Sequence, residues 1–291
     1  MAKETKDLTK PASGVPGLHR PDLPEHLQGD FGTEEASEFI TPPRIKVVQA
    51  LSSRLHELGF DTGDCVVVPQ NLMLAPIEQI EKGGKTRPGE AGFPFHFVPL
   101  LFFVEYCLWN PLETRESLPM IRERSYDKDS EIAKRARDPK LRTMLCPEFP
   151  EKDGKQLHCR YVEHLNFIVL LQDEHELAGV PLLLSFSKGE HNQGRQLLAL
   201  MKLRKVPICG ARYVGQVRHR TPSGKDWFGI DINNPLDKEP FVTDPDEFAV
   251  YKGFHEDLKN AHESNKLRAD YSDEEAEDAD ANANAAASTD F

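Results

Sequence analysis

Nine basic residues, Lys188, Arg195, Lys202, Arg204, Lys205, Arg212, Arg218, Arg220 and Lys225, fall within 38 positions that hold one acid, Glu190. Tyr213, Trp227 and Phe228 are interleaved with the later ones. Cations neutralise phosphates and release their counterions. Aromatic faces stack on unpaired bases at about 1–3 kcal/mol per base. Single-stranded nucleic acid uses both, so these twelve residues form the expected contact set. A salt-bridged hairpin over core aromatics fits the same residues and is the plainer alternative.

The C-terminus carries a second chemistry. Asp273, Glu274, Glu275, Glu277, Asp278 and Asp280 lead through Ala and Asn to Ser288-Thr289-Asp290-Phe291. A terminal ring beside two carboxylates fits a basic-rimmed apolar pocket on a partner. The same acids can lie on the chain's own cations and compete with a polyanion.

Other chemistries are thinly supplied. Cys146, His158 and Cys159 are the metal candidates, but no paired Cys-x2–4-Cys knuckle accompanies them, so zinc is not expected. Asp226 and Asp231 flank the basic hairpin and would suit Mg²⁺, which makes a nuclease or recombination enzyme the alternative reading. Asp153-Gly154-Lys155 and Asp257-Leu258-Lys259 have an Asp-x-Lys spacing without the preceding Pro-Asp strand end. Walker A, Gly-x-Ser-x-Gly and His-Glu-x-x-His motifs are absent. A non-enzymatic chain without cofactor is expected. An acidic scaffold whose basic segment binds protein is a further reading.

Composition bounds these readings. The 291 residues carry net charge −12, and without the eight acids from Asp270 onward the remainder is −4, so an acidic total does not exclude a polyanion partner. A second window, Arg115–Arg142, sets nine bases against six acids and nets only +3. Phe93–Trp109, 17 residues broken by His96, Pro99 and Glu105, is too short and polar for a membrane span. Met1–Lys6 leads into Pro and Gly without an apolar core, so no signal peptide is expected. Five cysteines, an odd and sparse set, suggest reduced thiols in a cytoplasm.

The elements that must position these residues read as follows. Residues 1–30, rich in Pro and Gly, are an expected disordered arm. Ile45–Leu51 fits a strand or a short helix, and Cys65–Val68 a strand. Phe93–Trp109 holds seven of the 24 aromatics and reads as a long strand bent near Pro99, with part of it available to stack on bases. Residues 112–160 are a polar insertion with a helix near Ser130–Arg137. Val162–Leu171 and Val180–Ser187 read as antiparallel strands. Gly189–Arg204 reads as a helix with Leu197, Leu198, Leu200, Met201 and Leu203 on its apolar stripe. Val206–His219 and Asp226–Ile232 form a hairpin across Thr221–Gly224, and Asp244-Pro245 opens a last helix. One domain, residues 31–266, is expected between the arm and an acidic tail, residues 267–291. The class is α+β, mainly β: an OB-like five-stranded barrel with long insertions and a C-terminal helix, counting five to seven strands. An unrelated α+β sandwich fits the same count.

Three segments carry a resemblance. Thr41–Ser52, Leu165–Leu171 with Leu184–Lys188, and the basic helix Gln196–Arg204 stand in the order found in phage-encoded single-stranded DNA-binding proteins. The acidic tail ending in Phe291 is similar to the tails of bacterial and phage proteins of that kind. The likeness covers residues 41–52, 162–215 and the tail. Some of that group are Cys-rich in the insertion, where this chain departs. The resemblance implies an OB-like core in a host cytoplasm and coating of single strands with little sequence preference during replication or recombination. It also implies a tail that recruits a polymerase, primase or helicase.

Overall fold

A computed structural model describes residues 39–82, 85–114, 116–152, 154–221 and 227–271. The expected arm (1–30), Lys225, Asp226, the tail acids from Asp273 to Asp290 and Phe291 lie outside the described residues.

The chain is α+β with strand dominant. Its strands are β1 (Arg44–Val47), β2 (Cys65–Val68), β3 (Leu72–Ala75), β4 (Ile77–Lys82), β5 (Lys85–Trp109), β6 (Ile121–Ser125), β7 (Thr143–Leu145), β8 (Glu151–Lys152), β9 (Lys155–Gln156), β10 (His158–Leu171), β11 (Leu182–Phe186), β12 (Tyr213–Arg220) and β13 (Trp227–Asn233). Its helices are α1 (Ser53–Glu57), α2 (Glu131–Arg137), α3 (His191–Arg204) and α4 (Pro245–Glu263). Eleven strands form one mixed sheet with the path β13-β12-β5-β10-β11-β1-β2-β3, and β8 pairs with β9 apart from it. The sheet is not closed, and the strand total exceeds the five to seven expected, because β1–β4 and the insertion contribute strands of their own.

β5 organises the sheet. It is 25 residues long, pairing with β4 and β12 along its first half and with β10 and β6 along its second. The β10 pairing slips between Ile168 and Val169, opposite Leu101 and Pro99, where the sequence places the bend. Phe95, Phe97, Phe103, Tyr106 and Trp109 are buried, so most rings of this strand are core in this state and not the base-stacking surface expected, while Phe93 is 58% exposed. Gly215 lies so close to the Phe95 ring that a Cβ there would meet it at 2.3 Å.

Successive residues of a strand face opposite sides. On one side Phe167 and Leu184 pack with Phe97, Tyr213 and Leu197 of α3. Farther along that side, α2 covers Tyr106, Leu108 and Tyr161. The insertion is therefore packed core at Ile132, Ala133, Ala136 and Cys146, not only polar surface. On the other side Leu101, Phe103, Ile168 and Leu183 lie under Tyr251, Leu258 and Ala261 of α4. Ser130 caps α2 and Asp244 caps α4, as their positions before each helix require. Of the α3 stripe, Leu197 is fully buried, while Leu203 is 77% exposed near the helix end.

Two further contacts shape the ends. The Gln49 side chain donates to Phe228 O at 2.7 Å and accepts from Phe228 N–H at 3.0 Å, standing in for a strand beside β13. Beyond α4 the chain stays packed: Leu267, Ala269 and Tyr271 are buried, so the folded part extends past the tail boundary expected at 266. No helix among the described residues is long and apolar enough to cross a membrane.

Gln49→Ala leaves two buried backbone groups of Phe228 without partners, at a cost of about 1–3 kcal/mol. Urea unfolding is expected to show that loss. Hydrogen exchange at the Phe228 amide should accelerate more than at β10 amides.

Candidate nucleic-acid interface

The twelve expected contact residues divide by what their side chains touch. Arg204 donates to Arg212 O at 2.8 Å and to Asn234 Oδ1 at 2.7 Å, and lies over the Tyr213 ring at 4.4 Å. Arg212 grips the Glu247 carboxylate at 2.6 and 2.7 Å and reaches Gln172 at 3.2 Å. Both guanidiniums tie the loop before α4, and α4 itself, to the sheet, so they serve the fold. Tyr213 and Phe228 are buried in the main core and offer no face to a base. These four expectations are corrected, because each group's partners are internal. Lys188, Arg195, Lys202, Lys205 and Arg218 are exposed. Trp227 is half-buried and Lys225 lies outside the described residues.

Around Trp227 the expected residues do converge. A Cβ on Gly189 would meet its ring at 3.3 Å, so the backbone beside Lys188 rests against it. Arg220, its cross-strand partner, lies 5.2 Å from the ring centroid. Arg220 also bonds Asp231 at 2.5 Å and faces Glu190 at 3.5 Å. Glu190 accepts from the Ile230 N–H at 2.8 Å. Burial pushes its carboxyl up to about 7, while Arg220 and the Ile230 N–H pull it back. Lys188 meanwhile reaches over the Trp109 ring at 5.9 Å. The chain has two tryptophans, and the pair Lys188-Gly189 lies between them.

The metal candidates do not assemble. Cys146 and Cys159 are buried and His158 is exposed. Burial and the neighbouring Cys146 push the Cys159 thiol up to about 12, which disfavours the thiolate a metal needs. Among the described residues no group of three or more His, Cys, Asp or Glu is arranged to hold a metal ion.

No family model, curated protein or solved structure matches the chain.

One cluster escaped sequence reasoning. β10 and β5 pair His164 with Glu105 and Asn166 with Phe103, and β11 sets Ser185 opposite Asn166. Those side chains share the α4 side of the sheet. There the Tyr271 ring lies 4.3 Å from the His164 ring and 5.7 Å from Trp109. Its hydroxyl donates to Glu105 Oε2 at 3.0 Å and accepts from Asn166 Nδ2 at 3.0 Å. Arg44 and Arg124 lie 5.3 and 5.8 Å from its centroid. Arg124 also bonds Glu105 at 2.8 Å and Ala269 O at 2.7 Å. Burial, with Glu105 close by, pushes the Tyr271 and Tyr126 phenols upward, so both stay protonated and able to donate. The available signal was three polar residues, Glu105, His164 and Asn166, inside otherwise apolar strands.

Glu105→Ala strands the Arg124 charge in a mostly dry site, and an unfolding loss of about 3 kcal/mol or more is expected. Lys252→Ala, in the exposed pair with Glu256, is expected to change stability by no more than about 0.5 kcal/mol.

Glu190 sets a pH trend. With its carboxyl raised to about 7, the folded state keeps a proton that the unfolded chain releases at lower pH. Its contribution to stability therefore falls as pH rises between those two values. Glu190→Gln keeps an acceptor for Ile230 and removes the titration. Urea unfolding at pH 5 and pH 8 should find the variant gaining on the parent as pH rises.

Proposed function

We propose that this chain is a non-enzymatic, phage-type single-stranded DNA-binding protein with an OB-like core. Its part is to coat exposed strands in replication or recombination, in the cytoplasm of a host. The observation that carries the reading is the site around Trp227: a half-buried ring set against Gly189, with Arg220 over its face and Lys188 adjoining. An aromatic ring beside cations is the unit from which single-strand grooves are built. Exposed Arg195 and Lys202, two turns apart on α3, with Lys205 and Arg218, extend the field for phosphates.

The OB-like part of the reading is supported by strand order. β13-β12-β5-β10-β11, with α3 between β11 and β12, is the succession a five-stranded Greek-key barrel of this type would use. β1–β3 would then be an addition at its open edge, and Gln49 a bridge across the gap.

In this reading Asp231, held by Arg220, balances the hairpin's charge and does not hold Mg²⁺. The acidic tail recruits a polymerase, primase or helicase through Phe291 and competes with DNA for the same cations.

The test is fluorescence anisotropy of labelled oligo-dT, roughly 30 nucleotides long, against an equal duplex across a salt series. Salt-dependent, strand-selective binding is expected, with the oligonucleotide intact in Mg²⁺ as in EDTA. Trp227→Ala should weaken it at least about fivefold. A chain ending at Ser272 should bind more tightly, most at low salt, because self-competition is electrostatic. Loss of the strand in Mg²⁺ alone would favour the nuclease. Absence of binding at low salt by both forms would leave the basic segment as a protein-docking surface.

A further inference from the structure

Tyr271 is the last residue described, and its ring is 1% exposed. The segment that delivers it is short, and Leu267 and Ala269 within it are buried. Ile40 N–H donates to Lys266 O at 2.6 Å, and Arg268 N–H donates to Ile40 O at 3.0 Å. Past that bridge, Arg124 bonds Ala269 O, and then the ring enters its slot.

The slot has the chemistry of a base site. An imidazole, His164, lies at stacking distance on the ring. Two guanidiniums, Arg44 and Arg124, lie about the ring's centroid. An amide and a carboxylate, Asn166 and Glu105, meet its polar edge with a donor and acceptors. Unstacked bases are held in this manner, between aromatic or guanidinium planes and by hydrogen bonds to their edges. A phenol uses one polar atom of that edge, whereas a base would use several. A second observation points the same way. Trp109, 7% exposed beside the Tyr271 ring, has an indole N–H with no acceptor among the described residues. Buried donors of this kind are normally satisfied, and a base or phosphate oxygen would satisfy this one.

Resting on the reading of this chain as a single-strand binder, we infer that the Tyr271 slot is a nucleobase site and that the Tyr271 ring is its internal occupant. A bound strand and the segment Leu267–Tyr271 exclude one another. Trp109, His164 and Lys188 then continue, on the other side of Lys188-Gly189, the track that begins at Trp227 and Arg220. The residues that follow in sequence, Asp273 to Asp280, are rich in acids. The ring and the tail are thus separable elements: one fills a slot, the other supplies charge.

The experiment uses the full chain with Trp227→Phe, which leaves Trp109 as its one indole, and oligo-dT of roughly 30 nucleotides as probe. Binding is expected to change Trp109 emission and to speed trypsin cleavage after Lys266 or Arg268. In that background Tyr271→Ala should bind at least about fivefold tighter at low salt, the scale of one stacked ring. Tyr271→Phe, which keeps the packing and removes the hydroxyl contacts, should shift affinity the same way by less. If Tyr271→Ala does not fold, Tyr271→Phe and the parent's emission and cleavage decide. Strand-selective binding with emission, cleavage and Tyr271→Phe affinity all unchanged would overturn the slot and leave the DNA-binding reading standing. No salt-dependent binding in any form would remove both.

Discussion

A strand of 25 residues must find hydrogen-bond partners along both edges, and most of this architecture follows from how β5 finds them. β4 and β12 take its first half, and β10 and β6 its second. Because one continuous backbone serves both sets, the hairpin carrying Arg218, Arg220 and Trp227 is fixed relative to the β10–β11 face carrying His164 and Asn166. The slip opposite Pro99 lets the strand turn between the two. Helices then settle where apolar faces remain, α2 and α3 on one side and α4 on the other. Glu163 links the first two, pairing with His191 of α3 at 2.9 Å and Arg137 of α2 at 3.4 Å.

Elements with strong local signals were legible before any coordinates. The cap at Asp244-Pro245, the β-branched run Cys65–Val68, the paired apolar strands and the helix after Gly189 all stand where residue types put them, because backbone preference and burial agree there. The strand total and the paired order were not legible. β6 and β7 are short, β6 is also largely polar, and both exist because β5 and β10 offer them edges. Pairing of that kind depends on tertiary context more than on propensity.

Charge was the least transparent property. The basic run does contain exposed cations, but Arg204, Arg212 and Arg220 are engaged by Tyr213, Asn234, Glu247 and Asp231, partners 9 to 35 positions away in sequence. A guanidinium stapling two elements and one awaiting a phosphate have the same letter. The distinction comes from acceptors gathered by the fold: a carbonyl-rich loop after β13 and a buried carboxylate on α4. Counting bases in a window measures field strength and says nothing of which cations are already engaged.

The polar cluster around Glu105 bears on stability and, under the proposed reading, on recognition. A carboxylate with no solvent exposure is tolerable only when paired and hydrogen-bonded, and Arg124, Tyr271 and Asn166 all approach it. Two of those groups belong to strands of the sheet, Arg124 to β6 and Asn166 to β10, and one arrives from the segment after α4. A site organised purely for folding would have no need to draw its third partner from a segment leading into a run of acids. A site organised to receive a ring from outside would need a stand-in while empty, since Glu105 and Asn166 would otherwise face an unfilled cavity. Tyr271 answers that need with an aromatic face, one hydroxyl and a tether. The tether matters because a tethered ring competes at a high effective concentration, while its release must expose Leu267, Ala269 and Tyr271 and break the bonds that hold residues 266–271. Burial of this one tyrosine is accordingly the point at which the folding and binding arguments meet.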